Sequence, residues 1–337
     1  MPFRAISGHG HLLELIAAAA SRDTLPPSLI FAGPDGVGKR MAAVALAQLL
    51  NCLSPVTSGD RAVVDACGVC PSCIRIGRGV HADVLLIGPG ETGAIKIDAV
   101  REAIERTAYR PFEGRRRVVI VDEADAMISE AQNALLKTLE EPPAASVFVL
   151  VTSRPDLLLI TVRSRCQRLR FGPLAPGQVA GVLIAGHGYS PAVAHAAASA
   201  SDGSVGAALD GASKGFLDAR DAATRLLEIA AASRDPRRRL DGARQLIGSG
   251  KAGTDREELG RRLRALASML RDLVALRFRA GNRSLANADL KPGLSALLGT
   301  FDGDRTLRAF ESVDEALLAL DRNASPKIVA DWIALQL

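Results

Sequence analysis

The sequence predicts an α/β parallel sheet followed by an all-α region. Three observations carry this. Short apolar runs alternate with segments of helical periodicity up to residue 171. A glycine-rich turn, "FAGPDGVGKR" (31–40), joins the first apolar run to the helix that follows it. After residue 172 no convincing strand pattern returns.

The elements follow in order. Residues 10–20 carry apolar positions at helical spacing. "SLIFAG" (28–33) reads as a buried strand and "RMAAVALAQLLNCL" (40–53) as a helix. Residues 54–80 are polar and Gly-rich and hold three Cys. "DVLLIGP" (83–89) is a strand. "IDAVREAIERTAY" (97–109) is a helix with Asp98 as its candidate cap. "RRRVVIVDEAD" (115–125) is a strand that ends in acid. "SEAQNALLKTLEE" (129–141) is a helix stopped by Pro142 and Pro143. "SVFVLVTS" (146–153) and "QRLRF" (167–171) complete the strands. Short helices broken by Gly and Ser are expected over 176–215. Longer amphipathic ones, such as "GRRLRALASMLRDLVALRF" (260–278), fill 217–337. The expected domains are therefore 1–171, 172–216 and 217–337.

A chain of 337 residues, 48% hydrophobic and 23% charged, has the balance of a globular protein of two or three domains. Aromatic residues are only 4%, which argues against a stacking platform for single-stranded bases. A net charge of +5 is compatible with a nucleic-acid partner without requiring one. The start, "MPFRAISGHG", lacks the basic-then-apolar order of a signal peptide. "LLELIAAAAS" contains Glu14 and is too short to span a bilayer, so the sequence reads as cytoplasmic.

Three constellations carry chemistry. The first is the turn itself. Gly33, Gly36 and Gly38 let backbone N–H groups cradle phosphates, and Lys39 would reach the terminal ones. The next residue should be Ser or Thr, whose hydroxyl holds Mg²⁺; here it is Arg40. The second is the acidic strand end. Asp122 would orient Mg²⁺ through water, and Glu123 would polarise the attacking water. The third is Cys52 with "CGVCPSC", that is Cys67, Cys70 and Cys73. Four thiolates suit one tetrahedral Zn²⁺ with no open position, hence a structural clip. Cys52 is the least certain ligand of the set, and Cys166 reads as a small buried hydrophobe. "GRRR" (114–117) and "RDPRRR" (234–239) read as solvated surface arginines, with contacts to DNA phosphates as the alternative.

"NALLKTLEEPP" (133–143), "VDEAD" (121–125), "SRC" (164–166), "NASPK" (323–327) and the four-cysteine insert together resemble the bacterial clamp-loader AAA+ family of DNA polymerase III. The resemblance is dense from about 25 to 172 and mostly architectural after 216. It implies a RecA-like AAA+ domain with a zinc-binding insert, a small helical lid and a C-terminal helical collar. It also implies a five-subunit ring with subunits of gamma/tau and delta type, a sliding clamp, and primer–template DNA reached through the complex. Motors of this family carry an Arg in a lid motif where this chain, in "GSVGAAL" (203–209), has Gly206. With Arg40, that departure makes the chain resemble the family's delta prime type. No intrinsic ATPase is expected, and ATP and Mg²⁺ are doubtful cofactors. The resemblance makes Arg165 an arginine finger supplied in trans to a neighbour's ATP site. It places Ser153 at the polar sensor position between loop and acidic motif.

Overall fold

The computed structural model describes residues 1–337 except 59–62, 91, 214–215, 234, 245, 247–251, 279–284 and 288–289. It divides into two compact units, Met1–Ala175 and Pro176–Leu337.

In the first unit the elements run α1 (Gly10–Ser21), β1 (Ser28–Ala32), α2 (Lys39–Asn51), β2 (Val56–Ser58), β3 (Val63–Asp65), α3 (Pro71–Gly77), β4 (Val84–Ile87), α4 (Ile97–Thr107), β5 (Arg117–Val121), α5 (Ser129–Glu140), β6 (Ser146–Thr152), α6 (Ile160–Arg163) and β7 (Gln167–Arg170). Five strands form one parallel sheet in the order β4-β5-β6-β1-β7. Strands β1, β5 and β6 are buried along their whole length, as parallel strands covered on both faces must be. That is why they read as continuous apolar runs rather than as alternation. Ile30, Val119, Phe148 and Leu150 of the sheet share one core with Val100 of α4, Leu135 of α5 and Val162 of α6. Each such side chain contributes about 1.5–3 kcal/mol by leaving water.

Two details differ from the sequence reading. The cap position of α4 is Lys96, and Asp98 sits inside the first turn, where its charge faces the positive end of the helix. The polar segment after α2 is not a bare loop. It folds as an antiparallel ribbon, with Val56 opposite Asp65, followed by the short helix α3. Strands of three residues are too brief to show a period.

A buried carboxylate fixes one end of the sheet. Asp83, fully buried at the start of β4, pairs with the Arg117 guanidinium at 2.7 Å. It also accepts the N–H groups of Phe112 (2.7 Å), Glu113 (2.8 Å) and Gly114 (2.8 Å). Arg117 in turn donates to the carbonyls of Arg106, Tyr109 (3.1 Å) and Arg110 (3.2 Å). Asn51, at the end of α2, accepts from Arg115 N at 2.8 Å and Arg116 N at 3.0 Å. The Arg115 side chain reaches Cys52 O at 2.9 Å, and Arg116 holds Asp23 and Ala144 O. Arg117 is thus buried, against the surface reading of the run, while Arg115 stays exposed and Arg116 half-buried, as that reading expected, each with a partner in the chain.

The second unit is helical throughout its described residues. It runs α7 (Pro176–His187), α8 (Pro191–Ala200), α9 (Val205–Ser213), α10 (Phe216–Ala232), α11 (Pro236–Arg244), α12 (Ala252–Arg277), α13 (Lys291–Leu297), α14 (Gly303–Asp321) and α15 (Pro326–Gln336). Leu226, Leu263, Leu266, Leu270, Phe301 and Ile333 are core residues contributed by three of the helices and one loop. Asp272 is buried and accepts from Ala286 N at 2.8 Å and Asn287 N at 2.7 Å. Arg239 binds Ser233 O at 3.0 Å and Leu335 O at 3.3 Å, while Arg234 of the same basic run lies outside the described residues.

Burial pushes the Asp83 carboxyl up, but Arg117 and the three N–H groups outweigh it and bring it down to about 2. A depressed carboxylate stabilises the fold above its unfolded value of about 3.9, and that stabilisation is lost as pH falls toward 2. Asp83→Ala is expected to cost about 3–5 kcal/mol in chemical denaturation at neutral pH, because it leaves Arg117 buried without its partner. The deficit relative to wild type should shrink between pH 4 and about pH 2.

Candidate functional site

The carboxyl ends of β1, β5 and β6 converge where open α/β sheets bind ligands. The turn after β1 has the conformation its glycines imply. Gly36 has φ 71° and Gly38 φ 99°, a region that side chains rarely enter. Gly33 is required for a second reason. A Cβ there would lie 2.0 Å from the backbone oxygen of Phe171, just past β7.

Lys39 opens α2 and is 6% exposed. Its Nζ donates to Gly33 O at 2.7 Å and Pro34 O at 2.6 Å, and lies 3.5 Å from Asp35 Oδ1. Burial pulls its pKa down, and Asp35 opposes that. The ammonium is therefore turned onto the turn's own carbonyls, and a phosphate would have to draw it off them. Arg40 reaches the other way. Its Nη1 stands 3.3 Å from Asp122 Oδ2, so a guanidinium occupies the carboxylate that would otherwise orient a metal. Glu123 is exposed, with a left-handed backbone at φ 48°.

The acid that links β5 to β6 is a third one. Asp125 accepts from Thr152 Oγ1 at 2.6 Å and Arg154 Nε at 3.0 Å. Burial raises its pKa, and these two donors bring it below the ordinary value. Ser153 is half-buried just past β6, and the strand's polar contact is made by Thr152. Sequence reading missed Asp125 and Thr152. The only signal was that "VDEAD" holds a further acid three residues after Asp122.

Arg165 lies apart from this turn, in the segment that leads from α6 to β7. Its guanidinium pairs with Glu140, the last residue of α5, and its Nη1 donates to Thr161 O at 2.8 Å. Cys166 beside it is buried, and burial alone pushes its thiol up to about 12.

The cysteines form the second candidate site. The sulfurs of Cys52, Cys67, Cys70 and Cys73 all lie within 4.8 Å of one another. Thiolates on a tetrahedron of radius about 2.3 Å stand ~3.8 Å apart, so the set fits one metal ion after a small contraction. Cys52 caps the end of α2, Cys70 caps α3, and Gly68, with φ 79°, makes the tight turn between Cys67 and Cys70. Backbone N–H groups already point at sulfur, Cys67 N to Cys52 at 3.2 Å and Cys70 N to Cys67 at 3.3 Å. Burial pushes Cys70 up, but the Cys73 and Leu53 N–H groups and the neighbouring thiols bring it down to about 6. Cys73 is pushed up by burial. Gln48 holds the cluster to α2 through Cys73 O at 2.7 Å. Asp65 ties the ribbon to the N-terminal residues through Phe3 N at 3.1 Å and Arg4 N at 3.0 Å.

Sheet order, phosphate-type turn and acidic strand end together define an α/β unit of AAA+ type. Residues 8–175, nearly the whole of that unit, match the family described as DNA polymerase III, delta subunit. The α/β unit belongs to the DNA polymerase III clamp-loader AAA+ family. Among curated relatives, the delta prime subunit of Bacillus subtilis is 35% identical over 175 residues, 51% of this chain and 50% of that one. The tau subunit of Salmonella typhimurium is 34% identical over 177 residues, 52% of this chain and 26% of that one. The chain thus matches half or less of these relatives' length. A solved gamma-subunit-related protein of Thermotoga maritima aligns over 96% of this chain and 97% of its own, at 18% identity and a TM-score of 0.46. Among the described residues no helix is long and apolar enough to cross a membrane.

The cluster is expected to hold one thiophilic divalent ion per chain, measured by elemental analysis of purified protein. Cys73→Ser should abolish that metal and lower the melting temperature by several degrees, whereas Cys166→Ser should keep it.

Proposed function

We propose that this chain is a delta prime-like subunit of a DNA polymerase III clamp loader. It acts as a non-hydrolysing scaffold within a five-subunit ring that also contains gamma/tau-type and delta-type subunits. The ring opens the sliding clamp and places it on primer–template DNA. Residues 1–171 are its AAA+ domain, 172–216 its lid and 217–337 its collar. The four cysteines hold a structural Zn²⁺.

The observation that carries this reading is Arg40 set against Asp122 at 3.3 Å. A working site needs a hydroxyl at position 40 and a carboxylate at 122 to hold Mg²⁺ between them. Here the hydroxyl is missing and a cation sits on the carboxylate. Loss of the metal removes several kcal/mol of charge stabilisation from a hydrolytic transition state, about enough to silence the reaction. Gly206, in α9, removes a second cation from the same ligand. Gly33, Gly36, Gly38 and Lys39 keep the shape of the cradle, while Glu123 and Ser153 are remnants of the hydrolytic apparatus. Arg165 is retained because it serves a neighbour's site.

A second reading, an ATP-hydrolysing motor of gamma/tau type, is favoured by the similarity to tau subunits at 34% identity. The two differ in a simple assay. The purified chain with Mg²⁺ and ATP is expected to show only the background rate seen with Lys39→Ala. Turnover lost specifically in Lys39→Ala would establish the motor reading. In the assembled ring, Arg165→Ala is expected to lower hydrolysis at the site it faces by about 10³-fold or more, measured as phosphate release.

A further inference from the structure

We infer that Glu140 is a positioning residue for Arg165, orienting the guanidinium that the proposed function lends to a neighbouring ATP site. The inference rests on that reading of Arg165.

The two side chains start from fixed points. Leu139 and Cys166, each adjacent to one of the pair, lie in the same buried core cluster, and α5 packs directly on α6. Arg165 N also bonds Val162 O at 3.2 Å, which holds its backbone to α6. From this base Arg165 Nε donates to Glu140 Oε1 at 2.8 Å, and Nη2 donates to the same oxygen. On the other side Nη1 donates to Thr161 O at 2.8 Å, with Ser164 Oγ at 3.5 Å, the limit of a hydrogen bond.

Guanidinium has five N–H donors in a rigid plane. The three short bonds use one on each nitrogen. Nη2 then has a second N–H, and the second on Nη1 meets only Ser164 Oγ at the 3.5 Å limit, so neither terminal nitrogen is closed to a phosphate. Glu140 takes the edge formed by Nε and Nη2, so it fixes the plane of the group without covering both terminal nitrogens. A carboxylate that held the arginine away from phosphate would need both.

The placement of Glu140 argues the same way. It is the last residue of α5, where the helix carbonyls concentrate negative potential and an acid is disfavoured. The cation it holds offsets that. The pair is half open to water, with side-chain exposures of 31% for Arg165 and 48% for Glu140, so it adds little to folding. What it changes is orientation. An arginine on an open surface samples many rotamers, and one tethered at three nitrogens does not.

The test uses assembled rings in which only the motor subunit facing Arg165 keeps a working phosphate loop. Glu140→Ala is expected to lower kcat about fivefold and leave KM for ATP unchanged, beside about 10³-fold or more for Arg165→Ala. Glu140→Gln keeps an acceptor of the same shape without the charge. It should fall between wild type and Glu140→Ala, and it carries the test if the alanine variant fails to assemble. The melting temperature of the chain should be the same in all three, which a purely structural role would not give. An unchanged or raised kcat in Glu140→Ala, in rings where Arg165→Ala is impaired, would overturn the positioning role. Full activity in Arg165→Ala would instead remove the finger reading itself.

Discussion

The Asp83 carboxylate is the interaction on which the first unit depends. A fully buried charge is costly to desolvate, and it survives only if every lone pair finds a donor. Here the donors come from several directions. Arg117 lies in the neighbouring strand, and three successive N–H groups belong to the loop that feeds that strand. Satisfying one charge therefore sets the register of β4 on β5 and the path of residues 112–114 together. Asn51 continues the same bonding into α2, and the adjacent Cys52 takes it to the cysteine cluster. The cluster is consequently anchored to the end of the sheet and does not hang from it as a flexible insert.

Charge balance at the carboxyl end of the strands helps to hold the turn in shape. A phosphate loop gathers backbone N–H groups and a lysine around a space meant for anions, which is unfavourable when the anion is absent. In this chain the lysine turns back on two carbonyls, and Asp122 receives a guanidinium. The lysine of the turn and the acid facing it are thus both paired within the chain.

Much of this was legible in the sequence, and the parts that were not share a cause. Strands β1, β5 and β6 announced themselves because a parallel sheet buries both faces of its inner strands, which shows as unbroken apolar runs. Cys52 seemed a doubtful partner for cysteines 15 residues away, yet folding brings its sulfur within 4.8 Å of theirs. The pairing of Val56–Ser58 with Val63–Asp65 was invisible because three-residue strands carry no period. Asp83, Asp125 and Glu140 were missed for a different reason. Each is defined by a partner 25 to 34 residues distant, Arg165, Thr152 or Arg117, and nothing local marks an acid as the one that will meet a given arginine or threonine. The arginines at 115–117 show the same limit from the other side. A basic run reads as surface, which holds for Arg115 and in part for Arg116, but the fold buries Arg117 against a carboxylate.

Gly33 has a consequence for how such proteins drift. Phe171 leaves no room for a Cβ at that position, whether or not phosphate ever enters the turn. Selection for a well-packed sheet will therefore keep the first glycine of the motif long after selection for catalysis has ended. Two pressures once acted on that position, and one is enough to hold it. The informative positions in a decaying motif are those with a single duty. In this chain position 40, filled by Arg40, is one of them.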